Sequence, residues 1–279
     1  MRFIKLPALQ NMSPNTRVSL SIPLGQTYQK LYFDLGTTGL TKAFISNLVL
    51  RINNKEFIRW ASAADLESGL NAYKGNLTSN ARFLMIDFTE RLAREEVGLT
   101  MGTIAATQEA GVQNFTLEFD AGAYTNGAGI PPSIYADVEA PSGNRVIQRV
   151  MFSQKFIGSA STDQLYIPFG PQGMQLKRLI FKHSNLTSVR VKRDGVEIYE
   201  DIPVALAQAR EQDFGRVPTA GYHVIDFMPD TLQSNAFNTA FTVGANGPVA
   251  VQNLDIRPTV SAADTLTVYA EGYVSNDSL

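Results

Sequence analysis

The sequence predicts an all-β fold made of two tandem eight-stranded β-sandwiches, each with one short helix. Short strand-like runs recur along the chain with Gly and Pro between them, the pattern of a sandwich or barrel rather than of alternating strands and helices. A hairpin followed by a short helical stretch occurs twice. The two occurrences lie roughly 140 residues apart, the length of one domain.

The elements repeat in order. IPLG at 22–25 leads into KLYFDL at 30–35, and IPFG at 167–170 leads into LKRLIF at 176–181; both runs are rich in strand-forming residues. Each Ile-Pro-x-Gly is expected to end an early strand and turn the chain, because proline removes a ladder donor and glycine relaxes the turn. SNLVLRINNKEFI at 46–58 alternates around Asn53-Asn54, and TSVRVKRDGVEIY at 187–199 around Asp194-Gly195, pairs that tolerate the positive φ of a two-residue hairpin.

A helix is expected next in each half. ASAADLESGLNAY at 61–73 offers Ser62 as N-cap with Asp65 three positions on, and PVALAQAREQDFG at 203–215 opens on Pro203 and closes on Gly215. LMIDF at 84–88 then answers HVIDF at 223–227, FTLEFD at 115–120 answers NLDIRP at 253–258, and IYADVEA at 134–140 answers VYAEGYV at 268–274. The separation shrinks steadily along the series, as loop-length differences would produce. Generic β patterning would not keep the order. A jelly roll is an eight-stranded sandwich of this size, so a double jelly roll fills the chain. The expected division is 1–143, a first jelly roll with an N-terminal arm, and 144–279, a second.

Composition narrows the function. With 279 residues, 44% apolar and 18% charged, the chain can bury a sizeable core, and a net charge of −2 disfavours direct nucleic-acid binding. The absence of cysteine excludes disulfides and thiolate chemistry. No apolar run has the ~20 residues of a spanning helix, and the first residues fit no signal peptide, so a protein soluble as made is expected.

IPLGQTY at 22–28, the one-helix-per-half pattern and YHVIDFM at 222–228 resemble the major capsid proteins of tailless, membrane-containing icosahedral double-stranded DNA bacteriophages, the corticovirus-like double jelly-roll family. The second copy departs from the pattern, with Pro171-Gln172-Gly173 in place of Gln-Thr-Tyr. The resemblance implies a virion protein made in the host bacterial cytoplasm and forming homotrimeric capsomers. Two similar wedges per chain would let three chains imitate a hexagon. It further implies contacts with neighbouring capsomers, with vertex (penton) and minor capsid proteins, and with an internal membrane. Met1, Arg2, Phe3, Ile4 and Lys5 combine apolar groups with two cations, which suits an anionic lipid surface; the alternative is an arm packed on a neighbouring subunit.

Chemistry has little support. His183 and His223, the only histidines, lack nearby metal-ligating companions, and no Gly-x-Ser-x-Gly elbow occurs. Asp87 with Glu118, or Asp226 with Asp255, could form a glycosidase pair, but each acid has a counterpart in the other half, which repetition alone produces. The Gly-rich loops TNGAGIPP at 125–132 and VGANGPV at 243–249 carry no phosphate-binding signature and are read as turns at sandwich ends. No catalytic residue or cofactor is assigned. A structural calcium ion in loops 120–126 or 137–144 is an expectation, without an EF-hand spacing to support it.

Glu90 to Glu96, the densest charge run, reads as a solvated helical turn or as intersubunit salt bridges. Trp60 reads as core or subunit contact. The alternative function is a carbohydrate-binding or receptor-binding spike-type module, which would need exposed aromatics. Phe33, Phe83, Phe88, Phe115, Phe119, Phe181 and Phe227 instead sit in strand patterns and are expected in the core.

Overall fold

The computed structural model describes residues 2–75, 81–93, 95–170, 172–244 and 247–279. Met1, Arg94, Pro171, Ala245 and Asn246, which figure in the motifs above, lie outside them.

The first half contains β1 (Arg2–Lys5), β2 (Thr16–Ser21), β3 (Gln26–Asp34), β4 (Ile45–Ile52), β5 (Lys55–Ser62), β6 (Phe83–Asp87), β7 (Ile104–Ala106), β8 (Phe115–Ala121) and β9 (Ser133–Glu139). The second contains β10 (Val146–Ile157), β11 (Ser161–Thr162), β12 (Gln175–Lys182), β13 (Leu186–Arg193), β14 (Val196–Pro203), β15 (Tyr222–Asp226), β16 (Phe237–Asn238), the hairpin β17 (Phe241–Gly244) and β18 (Gly247–Ala250), β19 (Leu254–Val260) and β20 (Asp264–Ser275).

Sheet order makes the duplication literal. β1-β9-β3-β6, with β7 beside β3, repeats as β10-β20-β12-β15, with β16 beside β12. Across each sandwich, β5-β4-β8-β2 repeats as β14-β13-β19-β11. Each half is therefore a four-on-four jelly roll with one short extra strand, and the second half adds the separate β17–β18 hairpin.

Even irregularities repeat. The register of β3 against β9 shifts between Tyr28 and Lys30, and that of β12 against β20 between Leu176 and Arg178, so Gln29 and Lys177 are equivalent bulge residues. The hairpin turns carry φ of 53° and 65° at Asn53 and Asn54, and of 50° and 82° at Asp194 and Gly195, as two-residue turns require. Gly25 and Gly170, closing the two Ile-Pro-x-Gly strings, have φ of 89° and 81°. Each string follows the strand that pairs with β8 or β19: Ser21 opposes Thr116, and Leu165 bridges Ile256.

The helices fall where expected, with two differences, a π-turn and a second short helix in the first half, where one helix per half is expected. Ser62 caps α1 (Ala63–Asp65) by accepting from the Asp65 amide at 3.1 Å, but the helix then widens into a π-turn over Leu66–Asn71. A further short helix, α2 (Glu96–Thr100), belongs to the first half, and α3 (Val204–Asp213) follows Pro203 and ends before Gly215, whose φ is 73°. Cores are aromatic: Tyr28 and Phe57 pack on Phe115, with ring centroids 5.6 and 6.1 Å away. Phe33, Phe88, Phe119 and Phe181 are buried and Phe227 is half-buried against the core. Phe83 departs from expectation at 41% exposed, because it points to the outer side of its sheet, opposite Asp34.

The halves abut edge to edge. β5 of the first sandwich pairs in parallel with β10 of the second, Ile58 opposite Val150, so four strands of each half merge into one sheet ordered β15-β12-β20-β10-β5-β4-β8-β2.

Candidate assembly surfaces and the inter-sandwich junction

Segments of the first half that leave its sandwich cover the outer face of the second half's β10-β20-β12-β15 sheet. That is why β20 is buried along nearly its whole length, while its equivalent β9 leaves Ser133, Tyr135 and Glu139 half-buried. Trp60 of β5 lies on Tyr269 of β20 at 4.4 Å between rings, so the single tryptophan is a contact between halves.

Asp65 is a polar residue of the junction with several partners across it. Its carboxylate accepts from Lys182 Nζ at 2.7 Å, Tyr222 Oη at 2.8 Å and Tyr269 Oη at 2.5 Å, all from the second half. Burial pushes this carboxyl up, and Lys182 and the two phenols more than reverse that, holding it below its usual range.

Deeper in, a charged cluster is sealed from solvent. Lys177 Nζ stands 2.7 Å from Glu90 and 2.8 Å from Glu271, and its ammonium lies over the Tyr273 ring at 4.6 Å. Arg178 donates to Glu90 at 2.8 Å, to Glu271 at 3.0 Å and to Asp226 at 3.0 Å. Lys74 approaches Glu90 at 3.4 Å, Arg216 approaches Asp226 at 3.5 Å, and Gln148 donates to Glu271 at 3.0 Å. Burial disfavours the Glu90 charge, but Arg178, Lys177 and Lys74 hold this carboxyl well below the ordinary value. Glu271 is likewise resisted by burial and drawn down to about 2 by Lys177 and Arg178.

This corrects the reading of Glu90 to Glu96 as a solvated helical turn. Glu90 is 1% exposed, and the helix in this region begins only at Glu96. Lys74 and Glu90 come from the first half, while Lys177, Arg178, Asp226 and Glu271 come from the second. The cluster joins the two sandwiches, and its side chains are buried.

The candidate acid pairs are not brought together. Asp87 pairs with Lys30 at 3.6 Å on one sheet, whereas Glu118, on the opposite sheet, pairs with Arg17 at 3.0 Å and with Arg51. Asp226 is bound into the charged cluster, and Asp255 pairs with Arg257 at 2.8 Å. His183 Nδ1 accepts from the Leu186 amide at 3.3 Å, and His223 stacks on Phe181. Among the described residues no group of three or more His, Asp or Glu is placed to hold a metal ion. In the loops considered for calcium, Asp120 accepts from Arg17 and Asn47, and Asp137 from Tyr32.

Arg2, Phe3, Ile4 and Lys5 do not form a loose arm. They are strand β1, paired antiparallel with β9 through Arg2–Val138, Phe3–Asp137, Ile4–Ala136 and Lys5–Tyr135. Phe3 stacks on Tyr135 at 5.4 Å but remains 63% exposed. The two Ile-Pro-x-Gly turns wall off equivalent surface pockets: Leu24 and Gly25 against 108–113, and Phe169 and Gly170 against 251–254.

Two jelly rolls side by side in one chain, with a buried polar junction between them, define a double jelly-roll protein. Two family models cover the chain in succession, the viral coat protein P2 N-terminal domain over residues 3–139 and the P2 C-terminal domain over 147–275. The chain belongs to the viral coat protein P2 family and is a viral major capsid protein. Its fold is similar to that of the major capsid protein P2 of bacteriophage PM2, with a TM-score of 0.81 at 16% identity, covering 100% of this chain and 99% of that one. It is also similar to the Sulfolobus turreted icosahedral virus structure (TM-score 0.63, 14% identity, 98% and 90% covered) and to the PBCV-1 virus capsid (TM-score 0.61, 10% identity, 98% and 92% covered). No curated protein sequence matches the chain significantly.

Proposed function

We propose that this coat protein acts without catalysis, as a homotrimeric capsomer of pseudo-hexagonal outline that tiles an icosahedral shell around an internal membrane. The observation that carries this reading is the strand-for-strand duplication, in which sheet order, hairpin turns and central bulges repeat from one half to the other. Two equivalent wedges joined edge to edge give three chains six similar blocks around one axis. The division at 143/144 fits this reading, since it falls between the segments matched by the two family models. The membrane and the vertex and minor capsid partners rest on the resemblance to membrane-containing phages. Within it, the edge position of β1 favours a contact between subunits over a lipid contact for Arg2–Lys5.

Size-exclusion chromatography with light scattering on the full chain tests the proposal. A mass of three chains is expected, and a strict monomer at high protein concentration overturns it.

A further inference from the structure

Because the strands of the two halves correspond, the junction inside the chain has a counterpart that the chain alone leaves open. β10 corresponds to β1: Val150 opposes Glu271 as Phe3 opposes Asp137, and Phe152 opposes Tyr269 as Lys5 opposes Tyr135. β5 corresponds to β14: Ile58 opposes Leu50 as Tyr199 opposes Val191, each just before a register shift, and Glu56 opposes Arg51 as Glu197 opposes Lys192. β5 and β10 meet in the chain, whereas β1 and β14 are free ends of their sheets.

We propose that a second copy of this chain supplies the missing partner, its β1 lying parallel to β14 with Phe3 opposite Tyr199, as Val150 lies opposite Ile58. This rests on the trimer reading and names the surfaces that would close the ring.

The charges agree. Inside the chain, Glu56 acts electrostatically on Arg149, and the equivalent residues are Glu197 and Arg2. Arg59 lies over the Phe152 ring at 5.3 Å, and the equivalents are Glu200 and Lys5, which carry opposite charges. β14 displays Glu197, Glu200 and Asp201 on an exposed edge, and β1 displays Arg2 and Lys5.

The outer face agrees too. Asp65, three residues past the Ser62 cap, meets Lys182, Tyr222 and Tyr269. The residue three past the Pro203 cap is Leu206, which is 62% exposed, and the positions of Tyr222 and Tyr269 are taken in the first half by Phe83 and Tyr135. A buried acid among hydroxyls has become an exposed leucine that fits an exposed phenylalanine. The uncovered Phe3, Phe83 and Leu206 thus acquire a common explanation.

The absence of cysteine makes the test clean. Paired residues on adjacent strands lie within disulfide reach, so the full chain carrying Phe3→Cys and Tyr199→Cys is oxidised under native conditions. A covalent trimer that reductant dissolves is expected, with no cross-link from either single variant. A double variant that remains trimeric by light scattering but gives no cross-link overturns the strand pairing and leaves the trimer standing; a monomeric parent chain overturns the trimer itself.

Charge reversal at exposed positions provides a second measurement. Glu197→Lys with Glu200→Lys should raise the trimer dissociation constant at least tenfold, and adding Arg2→Glu and Lys5→Glu should restore it. Unchanged dissociation in the first variant counts against the proposal.

Discussion

Lys30 and Arg178 occupy the same position in the two sandwiches, each directly after the bulge of its central strand and each flanked in register by two acids. Lys30 opposes Asp87 and Asp137, and Arg178 opposes Asp226 and Glu271. One site stands at the outer face of the first half, and the other is sealed at the junction. The acids are buried in both sites, and the surroundings differ at the cation, whose side chain is 18% exposed in Lys30 and 0% exposed in Arg178.

Arg178→Met should cost about 3–5 kcal/mol of unfolding free energy, because it removes the one guanidinium that bonds Glu90, Glu271 and Asp226 together and leaves these buried carboxylates short of donors. Lys30→Met should cost less, about 1–3 kcal/mol, since the Lys30 side chain is 18% exposed and lies 3.6 Å from Asp87, whose carboxylate stays buried. Urea denaturation of the two variants checks the contrast.

Asp65→Asn removes the charge that Lys182, Tyr222 and Tyr269 converge on. A loss of about 2–3 kcal/mol is expected. Since all three partners belong to the other half, calorimetry should show the single unfolding transition broadening or splitting.

Glu211, in α3, carries a pH dependence of unusual sign. Burial, and secondarily Asp226, push its carboxyl from 4.5 up to about 8. The folded chain holds a proton that the unfolded chain has lost, so this contribution is complete below about pH 4.5 and drains away as pH rises to about 8. Glu211→Gln should flatten the decline in stability over that interval, as read by thermal melts at stepped pH.

His223 acts at the other end of the scale. Burial, with help from His183, lowers its imidazole from 6.5 to about 4. Its neutral form suits the fold, so the contribution is present above about pH 6.5 and is lost as pH falls toward 4. His223→Phe should move the acid-unfolding midpoint to lower pH; an unmoved midpoint would show that other groups govern acid lability.

Much of the architecture was legible in the sequence because the features that repeat are local ones. Asn53-Asn54 and Asp194-Gly195 announce turns by their φ preference, and Ser62 and Pro203 announce helix starts. The junction was not legible for a corresponding reason. Nothing in a window around Glu90 distinguishes a solvated carboxylate from one buried between domains, since its partners Lys177 and Arg178 lie far along the chain. A signal did exist: Lys177-Arg178 interrupts an apolar strand, and HVIDF and VYAEGYV each place one acid in an apolar strand. Strand pairing brings these three together. Phe83 was misplaced because apolar character alone does not reveal which face of a sheet lies open.

The edge-to-edge union of β5 with β10 also has a kinetic meaning. In a closed ring of three such chains, every second contact between sandwiches is made during folding of a single polypeptide and needs no encounter between molecules. Only the alternate contacts depend on concentration, and each forms between edges already held in place by folded sandwiches, so less ordering entropy is lost when chains meet.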